Sequence, residues 1–75
     1  MHRYLIIIEK ADGNYSAYSP DLPGCVATGA TVEATKGNMT QAVEFHLEGM
    51  KAERLPIPDG VAISEYITVG EERIQ

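Results

Sequence analysis

A chain of 75 residues, 44% hydrophobic and 23% charged, is too short for a second domain and too apolar for a disordered one. Eleven Asp and Glu against six Lys and Arg give a formal charge of −5, which repels polyphosphate and anionic lipid and suits a basic partner as well as plain solubility. A domain this small buries only about 60% of the surface its unfolded chain exposes, so self-association as a homodimer or tetramer, or an obligate partner, is expected.

Tyr4-Leu5-Ile6-Ile7-Ile8 is a β-branched and aromatic run, too short for a signal segment or a membrane span, and it leads into the turn Ala11-Asp12-Gly13-Asn14. Tyr15-Ser16-Ala17-Tyr18 alternates with period two, so the two runs predict a β-hairpin. Ser19-Pro20-Asp21-Leu22-Pro23-Gly24 is dense in turn formers and reads as a rigid loop. Cys25-Val26-Ala27-Thr28-Gly29 suits a third short strand.

Thr31 is placed to cap a helix, Glu33 sits where the positive dipole end favours it, and Val32, Met39, Val43, Leu47 and Met50 mark one helical face. Phe45 falls off that stripe, toward a sheet edge or a partner. The helix must stop before Leu55-Pro56-Ile57-Pro58, because the residue before a proline is pushed out of the α region. Residues 61–69 carry apolar side chains at 61, 63, 67 and 69 and predict a last strand; residues 70–75 read as a polar, frayed tail. The expected fold is α+β in the order β-β-β-α-β, a single domain over residues 1–75 with its core over 3–69. One helix packs on one face of a three- to four-stranded, antiparallel-rich sheet, and the other face or an edge is left to a partner.

The block Pro20-Asp21-Leu22-Pro23-Gly24-Cys25, set after a hairpin and ahead of Gly29, Thr31 and the helix start, resembles the HicB-like antitoxin family. The resemblance runs on through Ala42, Glu44, His46, Leu47 and Gly49 to Pro56-Ile57-Pro58 and covers about residues 3 to 69. It implies a partial ribonuclease-H-like fold and an antitoxin that masks a small basic RNA-cleaving toxin, HicA. Complete antitoxins of the family add a C-terminal ribbon-helix-helix or helix-turn-helix segment that binds operator DNA, and no such segment is expected within these residues. The alternative is a stand-alone oligomeric adaptor that keeps the fold without toxin or operator.

A ribonuclease-H-like order invites a magnesium-dependent nuclease reading, which needs several converging carboxylates. Glu9, Glu44, Glu48 and Glu65 are the candidates, but the centre of the first strand carries no acid, so these are read as solvated. His46 borders the helical stripe with no nucleophile at a readable spacing and is read as a packed residue, not as a general base or pH switch. Cys25 is the single cysteine and has no adjacent Lys or Arg to lower its pKa, so it is read as a small buried hydrophobe in a reducing, cytoplasmic setting. The expectation is therefore a non-enzymatic domain without metal or cofactor. Its contact residues are Tyr15 and Tyr18 on the hairpin, Asp21 and Leu22 in the loop, and Glu9 at the end of the first strand. Alternation puts the two tyrosines on opposite sheet faces, and Asp21 is expected to steady its loop by accepting backbone N–H bonds.

Overall fold

The computed structural model describes residues 2–71. The strands are β1 (Ile7–Ala11), β2 (Asn14–Tyr18) and β3 (Val26–Gly29), and they precede a single helix, α1 (Val32–Ala52). The sheet is antiparallel in the order β1-β2-β3, with Ile7 opposite Tyr18, Ala11 opposite Asn14, and Tyr18 opposite Val26. The first strand is paired three residues later than the apolar run suggests, because the Asp12-Gly13 turn carries the ladder down to Ala11. Tyr4 and Ile6 keep the alternation of Ile8 and pack against the core ahead of the ladder.

Alternation then separates the sheet faces. Ile8, Ala17 and Ala27 stand in one row toward the helix, and α1 meets them with Met39, Ala42, Val43 and Leu47. Ala17, Leu22, Cys25 and Met39 are the buried apolar residues of this core. The helix lies over β3 and β2 and touches β1 least. Gly29 sets that bias, since a methyl group there would stand 2.6 Å from the Thr35 amide nitrogen and 2.9 Å from its Cα, both backbone atoms that cannot swing aside. Asn38 adds an Nδ2–H bond to the Thr28 carbonyl at 2.8 Å.

Thr31 caps the helix as its position implies, in extended backbone with Oγ1 accepting from the Ala34 N–H at 3.0 Å. At the other end Arg54 adopts φ 58°, and the Leu55 N–H donates to the Met50 carbonyl at 2.8 Å, the six-to-one closure of a Schellman turn. The chain thus leaves the helix just before Pro56, where the sequence requires it.

The α+β class and the β-β-β-α order agree with the sequence, but the last strand does not form: residues 61–69 belong to no sheet. A strand needs a neighbour for its backbone donors and acceptors, and this segment pairs with none of the three strands. Its apolar side chains lie open, with Val61 74%, Ile63 83%, Ile67 83% and Val69 76% exposed. The molecule is correspondingly long, 59 × 28 × 19 Å, with a radius of gyration of 15.8 Å where a compact chain of this length has about 11 Å. Residues 72–75, expected to be frayed, lie outside the described residues.

Candidate functional site

The face of the sheet turned away from α1 is open. Its central row is Ile7, Tyr18 and Val26, directly opposed across the three strands, and the next row is Glu9, Ser16 and Thr28. Tyr18 is 41% and Val26 64% exposed, Ile7 is half-buried, and Glu9 and Thr28 are exposed. The result is a small apolar patch with an acidic side chain at its border. Apolar anchors with a polar rim are the anatomy of protein contact surfaces, and main-chain pairing holds this one rigid before any partner arrives.

The residues singled out from sequence divide among three places. Glu9 and Tyr18 share the open face. Tyr15 lies on the opposite, helix-side face, half-buried and paired with Gly29, as alternation requires. Asp21 and Leu22 lie in the loop after β2. Leu22 is only 1% exposed, so its side chain fastens the loop to the core instead of presenting a surface. The loop closes on itself through Leu22 N–H to Ser19 carbonyl at 3.2 Å and Cys25 N–H to Leu22 carbonyl at 3.1 Å.

Asp21 does accept a backbone N–H, but a remote one: its Oδ2 holds Ala62 at 3.1 Å. Beside it, Tyr4 Oη donates to the Pro58 carbonyl at 2.6 Å, and a side chain on Gly60 would collide with the Arg3 carbonyl. The corner formed by residues 3 and 4 and the Asp21 loop therefore fixes where residues 58–62 leave the domain. Ile7 and Val26 were missed by the sequence reading, although carrying the alternation of Glu9 and Tyr18 one pair further would have found them.

Two grooves flank the helix. One runs beside β3, where Cys25, Ala42, His46 and Met50 form its floor and Phe45, 79% exposed, stands at its rim. His46 is half-buried there, and Cys25 is 5% exposed, with burial pushing its thiol pKa up from the ordinary 9.0. The other groove runs beside the free edge of β1, between Tyr4 and Ile6 on the sheet side and Met39, Val43 and Leu47 on the helix. Glu9 lies on the open face, Glu44 lines the groove beside β1, Glu48 is exposed on the helix and Glu65 is in the C-terminal segment; among the described residues no three His, Cys, Asp or Glu side chains are grouped to hold a metal ion. No helix among them is long and apolar enough to cross a membrane.

These features define a small α+β domain with one sheet face covered by a helix and the other open. The family model described as the HicB-like antitoxin of bacterial toxin-antitoxin systems matches residues 4–72, and the chain belongs to that family. An uncharacterized 14.9 kDa protein from the rep-hol intergenic region of Haemophilus phage HP1 is 37% identical over 68 residues, which cover 91% of this chain and 51% of the phage protein. The chain thus spans about half the length of that relative. A UPF0150 protein of Synechocystis is 39% identical over 59 residues, covering 77% of this chain and 75% of its own. Another from Thermoplasma acidophilum is 37% identical over 68 residues, covering 89% and 96%. No solved structure matches the chain.

Proposed function

We propose that this domain neutralises a small basic RNA-cleaving toxin of the HicA kind by protein contact alone, in the cytoplasm and as a homo-oligomer. Membership of an antitoxin family supports a toxin partner in general. The observation that carries the finer reading is the open sheet face, where Ile7, Tyr18 and Val26 form a preordered apolar row beside Glu9. The net charge of −5 would steer a basic partner toward the domain, and the aromatic at the centre of the row supplies the anchor. In this reading Asp21 and Leu22 keep the neighbouring loop in shape, and Tyr15 supports the hairpin from beneath. Occlusion suffices; no step of chemistry falls to this chain.

The test is titration of the purified domain into a small basic protein encoded beside it, followed by calorimetry and by cleavage of a labelled RNA. Stoichiometric binding that silences the RNA cleavage is expected, and Tyr18→Ala should weaken it at least tenfold, the about 1.4 kcal/mol or more that a central aromatic contributes. Unchanged cleavage at saturating domain would overturn the reading in favour of a stand-alone adaptor.

A further inference from the structure

The segment after the helix is patterned as a strand yet pairs with nothing. Residues 63, 65, 67 and 69 are Ile, Glu, Ile and Val, and residues 64, 66 and 68 are Ser, Tyr and Thr, so one face of an extended arm is apolar and the other mixed. Ile63 and Ile67 are each 83% exposed, Val69 76% and Tyr66 102%. Folded proteins seldom leave this many large apolar side chains so open in one short segment unless something covers them.

The arm is nevertheless firmly rooted. Tyr4 holds Pro58, the Arg3 backbone leaves room only for glycine at position 60, and Asp21 holds Ala62. Beyond that root, residues 63–69 are exposed and belong to no strand of the sheet.

A matching vacancy exists on the body. Because the sheet order is β1-β2-β3, no strand among the described residues lies beside the outer edge of β1, and α1 sits toward β3, so a groove lies along that edge. Its lining is apolar at Tyr4, Ile6, Met39, Val43 and Leu47, with one charge of each sign, Lys36 and Glu44, beside them. Seven arm residues span about 23 Å in extended form, the length of an edge strand of seven residues, which residues 5–11 supply. The apolar side chains Ile63, Ile67 and Val69 match the apolar lining of the groove, whose Lys36 and Glu44 leave its charge balanced beside Glu65, the one charge on that arm face.

We propose that two copies of this chain exchange residues 63–69, each laying its arm along the free β1 edge and into the groove of the other. One arm and one vacancy per chain close under a two-fold axis with no edge left over, the arrangement that yields a finite dimer and not a filament. The exchange deepens the self-association stated above, does not depend on the toxin, and leaves the open face with Ile7, Tyr18 and Val26 free.

The experiment uses the whole chain without any toxin, so its failure and that of the antitoxin reading are separate. Light scattering on a sizing column is expected to give a dimer at micromolar concentration, which Ile67→Asp weakens at least tenfold and Phe45→Asp leaves intact. In protein mixed from isotope-labelled and unlabelled copies, the Ile67 methyls should show Overhauser contacts to Leu47 between copies. Those contacts are read on the unaltered chain, so they decide the matter even if a variant does not fold. A monomer at all concentrations, a dimer lost through Phe45→Asp and not Ile67→Asp, or Ile67 contacts confined to one copy would each overturn the exchange.

Discussion

The phenol of Tyr4 donates to the carbonyl of Pro58 at 2.6 Å, tying the lead-in to the first strand to a residue 54 positions later. Without this bond residues 58–62 would be held at that corner by Gly60 against Arg3 and by Asp21 alone. Tyr4→Phe keeps the ring and removes the donor, and about 0.5–1.5 kcal/mol of stability should go with it in urea unfolding. Gly60→Ala should cost more, since its methyl meets the Arg3 backbone, which cannot turn away. Amide exchange at Ala62 should speed up in both variants.

Met39 is 0% exposed and sits where the helix meets the sheet. Truncation to Ala leaves a cavity that neighbours on a four-residue strand cannot collapse to fill. A loss of about 2–5 kcal/mol is expected, a large share of the whole stability of so small a domain. Thermal unfolding followed by circular dichroism measures it, and a drop below about 1 kcal/mol would show the core to be looser than its packing implies.

Arg54 pays for the helix stop with a left-handed backbone at φ 58°. Its turn is closed by backbone bonds from Arg54 to Lys51 and from Leu55 to Met50, so the side chain is dispensable to the motif. Arg54→Gly should therefore stabilise the chain, by about 1 kcal/mol, and raise its melting temperature.

Cys25 is held as a neutral thiol because burial disfavours the thiolate, raising its pKa above 9.0. Unfolding releases the thiol to its lower, ordinary pKa, so the unfolded state loses its proton first. The contribution of this group is complete below pH 9.0 and declines as pH climbs through the interval between the unfolded and folded values. The difference in urea midpoint between the natural chain and Cys25→Ala should shrink over that interval, and disulfide reagents should modify the folded protein slowly at neutral pH.

The hairpin, the third strand, the capped helix and its stop before Pro56 were all legible in the sequence, because each depends on neighbours within a few residues. The Thr31 cap and the Asp12-Gly13 turn are of this kind. Residues 61–69 were legible as a strand pattern but not as a strand, since pairing depends on an edge that sequence does not locate. Asp21 shows the same limit: that it accepts a backbone N–H could be read, but that the donor is Ala62 could not. On the candidate surface, alternation separated Tyr15 from Tyr18 without saying which face is open, Glu9 was named for its place at the strand end, and Leu22, named as a contact residue of the turn-rich loop, is buried at 1% exposure.

Under the two proposals above, the bond from Ala62 to Asp21 would couple the two binding events, with a calculable ceiling. It joins the loop beside the open face to the root of the arm, so a ligand that shifts the loop and a copy that grips the arm act on one shared contact. If the proposed toxin contact and arm exchange both hold, linkage makes the influence mutual: the factor by which toxin binding changes dimer affinity is the factor by which dimerisation changes toxin affinity. A hydrogen bond to a charged acceptor contributes about 1.5–3 kcal/mol, so through this contact the factor is at most about 150.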